Sequence, residues 1–101
     1  MSEPLLELAF EAAVVEWRGP PPYLFATIPE AQIGDVKWAA REASYGWGCV
    51  PVTARIGGVD FTTSLFPRDG GYLLPIKVAV RRQLDIALGD TVRVAMTIAR
   101  R

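Results

Sequence analysis

Two stretches of this 101-residue chain, YLFATIPEAQIGDV and GGYLLPIKVAVRRQ, carry the same order of signals. Each is a short apolar run, then a proline, then apolar residues at helical spacing, and Pro29 and Pro75 stand 46 residues apart. An alternating segment and a Gly/Pro-rich turn precede each stretch, and another alternating segment follows it. The order strand, turn, short strand, proline, helix, strand therefore occurs twice. One such unit leaves a sheet face uncovered, and two can close it into a small barrel. The pattern predicts one mainly β domain over residues 1–101 with two short helices, built from pseudo-repeats at roughly 5–56 and 57–101.

The alternation is cleanest in TVRVAMTI, where Val92, Val94, Met96 and Ile98 interleave with Thr91, Arg93, Ala95 and Thr97. Leu8, Phe10, Ala12 and Val14 form a similar face, as do Val50, Val52, Ala54 and Ile56, and Val59, Phe61, Thr63 and Leu65. Between the last two lies Gly57-Gly58, a two-residue hairpin turn of the kind that needs positive φ. RGPPPY breaks the first strand, since consecutive prolines cannot donate to a ladder. Ile33, Val36 and Ala40 mark a helix over EAQIGDVKWAAREA, with Pro29 at its start and Glu30 favourably placed near its N-terminus. By the same logic Pro75 should open a second helix, IKVAVRRQL.

Histidine is absent, which removes Ser-His and Cys-His dyads and His-ligated zinc. Catalysis would fall to Asp, Glu, Lys, Tyr or the single Cys49, and Ser64 has no neighbour to deprotonate it as histidine would. No metal and no cofactor is expected. Half the residues are hydrophobic, as in a globular protein. One cysteine cannot form an internal disulfide, the N-terminal segment lacks the features of a secretory leader, and no apolar run approaches the ~18 residues of a membrane span. These point to the cytoplasm and to no membrane association. Net charge is zero but divided: residues 1–48 hold three basic and seven acidic side chains, residues 49–101 eight basic and four acidic. Such asymmetry fits solvated surface charge, an anion-binding half, or a head-to-tail self-contact in a weak homodimer instead of a monomer.

The segment YLLPIKVAVRRQLDIALGDTVRVAM resembles the strand-Pro-helix-GD-strand unit of AbrB/MazE-like swapped-hairpin proteins. In those proteins two chains each supply one unit of a double-split β-barrel, whereas here one chain carries both. Over nearly its whole length the chain is similar to a small bacterial family catalogued as a domain of unknown function with this barrel. The residues carrying that likeness are YGWG (Tyr45 to Gly48), VTARIGG (Val52 to Gly58), TSLFPRDGGYLLPIK (Thr63 to Lys77) and Arg81. Phe61 departs from the second aromatic, often tryptophan, expected on that strand. The resemblance implies a fold and no reaction.

Several side chains compete for a role. Trp47 in YGWG could be a stacking face on a ligand pocket, or a lid folded back beside a helix cap at Gly46. PRDGGY could be an anion nest beside Arg68, or a plain hairpin turn; the P-loop and dinucleotide-binding spacings are both absent. Lys77 and Arg81, at i and i+4, should repel unless an internal carboxylate (Glu11, Glu16 or Asp69) or an external anion lies between them. Together with Arg55 these residues suggest a binding module for an anionic small molecule or peptide in a cleft of basic and aromatic residues. A DNA-binding regulator, by analogy with AbrB-like proteins, and an enzyme without histidine are the alternatives. Zero net charge argues against nucleic acid.

Overall fold

The alternating segments become strands that leave no open edge. The computed structural model describes residues 4–17, 23–43 and 49–99. Over these residues the elements run β1 (Pro4–Trp17), β2 (Tyr23–Thr27), α1 (Glu30–Ala43), β3 (Val50–Ile56), β4 (Val59–Arg68), β5 (Gly71–Ile76), α2 (Val78–Leu84) and β6 (Thr91–Ala99). The strands close into a barrel in the order β1-β2-β5-β4-β3-β6, every pair antiparallel. Closure removes the unpaired N–H and C=O groups that an open sheet would present to other chains.

Two strands join the halves of the barrel. β1 pairs with β6 from Pro4 to Ala13 and with β2 from Val14 to Trp17. β4 pairs with β3 from Val59 to Leu65 and with β5 from Phe66 to Arg68. At the changeover in β1, the loop before β6 takes up the backbone of Val14. The Val14 N–H donates to the Asp90 carbonyl (2.8 Å), and the Gly89 N–H donates to the Val14 carbonyl (3.1 Å). Asp90 secures that loop by accepting the Ala87 N–H on its carboxylate at 2.8 Å.

Most of the expected inward positions are the observed ones, with Leu8, Val59 and Thr63 only half-buried. Phe10, Ala12 and Val14, all four named residues of β3, Phe61 and Leu65, and all four of β6 are buried, and no polar or charged side chain is buried among the described residues. Each large aliphatic side chain taken out of water in this way contributes about 1.5–3 kcal/mol. α1 buries Val36, Ala39, Ala40 and Ala43. It touches β1, β3, β5 and β6, strands from both sides of the barrel, and so lies across one mouth.

The turns follow their residues. Gly57 and Gly58 both have positive φ, 55° and 81°, which carries β3 directly into β4 with Ile56 opposite Val59. The two-residue turn at Asp69-Gly70 has φ of 51° and 80° and sets Arg68 opposite Gly71. It is a tight hairpin with the type I′ pattern of positive φ at both central residues. Of the two readings of PRDGGY, the hairpin is the one the backbone adopts.

Pro75 departs from expectation. It lies inside β5, opposite Phe25 of β2, and the second helix begins only at Val78. The Tyr72 carbonyl accepts the Ile28 N–H (3.2 Å), so Tyr72 faces the β2 side and, by strand alternation, Pro75 faces the other flank. There β4 has stopped pairing at Leu73, so the missing N–H leaves no ladder bond unmade. Pro29 behaves differently: it precedes α1, and its carbonyl accepts the Gln32 N–H at 2.9 Å. The shortened α2 ends at Asp85, which takes the left-handed conformation (φ 54°) common at helix C-termini.

Candidate functional site

A cavity of about 840 Å³ lies between the N-terminal half of α1, the β4–β5 hairpin and the ends of β1 and β2. Its floor is the outer face of the sheet. Strand register puts Val15 beside Phe25 and Thr27 beside Leu73 on that face. Phe25 is held by an edge-to-face contact with Phe66, at 5.2 Å between centroids and 82° between planes. Edge-to-face packing of this kind fixes an aromatic ring in one orientation.

The helical wall is built by spacing. Glu30, Ile33, Gly34 and Lys37 all line the cavity, and they stand at i, i+3, i+4 and i+7, one stripe of α1. Ile33 reaches the hairpin: a Cβ placed on Gly71 would come within 3.1 Å of the Ile33 Cδ1. Gly71 is therefore small because a side chain from α1 packs against its backbone. Gly34 is the opposite case. Beyond its chain neighbours and the helix's own backbone, nothing lies within 4 Å of where its Cβ would stand.

The rim carries both signs of charge: Glu16, Glu30 and Asp69 against Lys37 and Arg68. The Arg68 Nε lies 3.5 Å from the Asp69 carboxylate, with both side chains well exposed, so this pair contributes little to stability. Lys37, Glu16 and Glu30 form no ion pair among the described residues.

The residues singled out in the sequence are dispersed. Arg68 lines the large cavity. Lys77, the residue before the first turn of α2, lines a shallower groove of about 510 Å³ with Thr53, Thr62, Thr63, Ser64 and Thr97. Arg81 lies on α2, its backbone N–H donating to the Lys77 carbonyl at 3.0 Å, and it lines neither concavity. Arg55 is engaged across the β3–β4 hairpin, its Nε donating to Asp60 Oδ1 at 2.7 Å and its guanidinium to Oδ2 at 3.2 Å. That hydrogen bond, with the charge of Asp60, raises the Arg55 pKa, and the same bond holds the Asp60 carboxyl below its ordinary range. Trp47, with the rest of YGWG, lies outside the described residues. Neither of these two concavities is lined by more than one of Arg55, Lys77 and Arg81, and the cavity beside α1 is mixed in charge.

Sequence reasoning passed over Lys37, Gly34, Phe25 and Tyr72. The stripe at i, i+3, i+4 and i+7 was legible on α1, and the interior helical glycine was its sharpest signal. Among the described residues, no group of three or more His, Cys, Asp or Glu is placed to hold a metal ion, and no helix is long and apolar enough to cross a membrane. No curated protein matches the chain. The model of one protein family matches residues 10–96, most of the barrel with both helices, and the chain belongs to that family, described as a domain of unknown function (DUF1905).

Proposed function

We propose that the chain is a small binding module without catalytic activity, whose ligand occupies the cavity between α1 and the outer face of β1, β2 and β5. The ligand is a small molecule or peptide with an apolar body against Phe25, Leu73 and Ile33 and an anionic group toward Lys37 and Arg68. A volume of about 840 Å³ lies in the range of small-molecule sites, as does the combination of an apolar floor and a few polar groups.

Gly34 carries the reading. A glycine inside a helix costs about 1 kcal/mol relative to alanine, and here no packing contact requires it. Its bare backbone faces the cavity and leaves room for a ligand to approach the helix. Local rules are broken in this way where function needs the space. A thermal-shift screen of apolar carboxylates tests the reading. Hits should raise the melting temperature of the wild type and fail to do so in Gly34→Leu, whose side chain enters the cavity. Hits that stabilise a folded Gly34→Leu variant equally would defeat it.

We further read the barrel as two fused units, meeting at the Gly57-Gly58 turn, in the double-split arrangement that AbrB/MazE-like proteins assemble from two chains. Exchanging β1 with β4, β2 with β5 and β3 with β6 maps the order of neighbouring strands onto itself. The exchanged strands β1 and β4 are also the two that change partners along their length. Fusion makes a second chain unnecessary, so the protein works as a monomer or weak homodimer, in a reducing compartment such as the cytoplasm.

A further inference from the structure

We infer, resting on the binding reading above, that the ligand is a short apolar peptide of two or three residues with both ends free. Charge along α1 is placed to meet both ends of such a ligand. Glu30 and Lys37 are seven residues apart on the stripe that lines the cavity, and a helix rises about 1.5 Å per residue, which sets them roughly 10 Å apart along its axis. Between them the stripe offers only Ile33 and the bare backbone of Gly34. An extended peptide spans at most about 3.3–3.6 Å per residue, so three residues cover the same roughly 10 Å.

The ends then match in sign. The Glu30 carboxylate accepts from the peptide ammonium, and the Lys37 ammonium donates to the peptide carboxylate. Neither group is committed to another ion pair among the described residues. Glu16, on the facing strand, adds a second carboxylate to the rim. A ligand with a negative group alone would leave Glu16 and Glu30 facing it without a counter-charge. A single amino acid brings its two charges too close together to meet both ends of the stripe. The apolar floor of Val15, Phe25 and Leu73 takes the peptide side chains, which makes the preference one for aliphatic or aromatic residues.

Calorimetric titration of the full chain with trileucine, N-acetyl-trileucine and trileucine amide tests this. Trileucine should bind, and blocking either end should weaken binding roughly tenfold, the scale of one charge-assisted hydrogen bond in a partly exposed site. Acetylation should no longer matter in Glu30→Gln, and amidation should no longer matter in Lys37→Met. Both substitutions are at exposed positions, and unchanged melting temperatures will show that the variants are folded. Equal affinity for the three peptides, or penalties that persist in both variants, overturns the peptide inference. If the peptides do not bind but an apolar carboxylate does, and Gly34→Leu abolishes that binding, the peptide inference falls while the cavity reading stands. If no apolar carboxylate binds either, both fall.

Discussion

Gly34→Ala should make the protein more stable. The residue sits in the fifth position of a 14-residue helix, where glycine costs about 1 kcal/mol relative to alanine through the entropy of the unfolded chain. Beyond the helix's own backbone and the two neighbouring residues, no atom lies within 4 Å of the new methyl group, so no tertiary clash offsets the gain. For a domain of about 100 residues, 1 kcal/mol corresponds to a rise in melting temperature of about 4 °C or slightly more. Scanning calorimetry on wild type and variant measures it, with urea denaturation at 25 °C as a second reading of the same difference. The same methyl group enters the cavity, so ligands found by screening should bind the variant more weakly. More stability with less binding is the signature of a position held for function. An unchanged or lowered melting temperature would mean that glycine at 34 serves the fold and not a ligand.

The two glycines of the β3–β4 turn should separate strain from crowding. Gly58→Ala meets open space and should lose about 1 kcal/mol for its positive φ alone, and Gly57→Ala should lose at least as much, since its methyl group must also turn the flexible end of Leu84 aside from 2.9 Å, both read from urea midpoints. Met96→Ala, at a nearly inaccessible core position, should cost about 2–5 kcal/mol by the same assay. Because Arg55 depresses the Asp60 pKa, the contribution of the pair is present above the ordinary carboxylate pKa and fades as pH falls through the lowered one. The stability difference between wild type and Asp60→Asn should therefore shrink on acidification, and a difference independent of pH would contradict the pairing. Duplex DNA should not bind even near 50 mM salt, a condition that favours phosphate contacts, and measurable binding by fluorescence anisotropy would revive the nucleic-acid alternative.

Much of the barrel could be read directly because its signal is local. A period of two along TVRVAMTI or CVPVTARI already specifies which side chains turn inward, and two adjacent glycines specify a tight turn. Pro75 shows where local reading ends. Its place in a strand depends on β4 having stopped pairing at Leu73, a relation between segments that no neighbouring residue reveals. The site divided in the same way. The Arg55–Asp60 pair follows from counting outward from the Gly57-Gly58 turn, so an internal partner for Arg55 was legible in the sequence. Attention to the basic half of the chain favoured Lys77 and Arg81, while the cavity formed around Lys37 in the acidic half. Gly34 was visible throughout, but its meaning depends on the empty space beside it, which only the packed structure displays.

A crystal structure of the protein with the strongest screening hit will show whether a ligand lies between α1 and the sheet. The expected density is an apolar body packed between Gly34 and Phe25, with a charged group within hydrogen-bond reach of Lys37 or Arg68. A hit seated instead in the threonine-lined groove beside Lys77, with the cavity at α1 unoccupied, would contradict it.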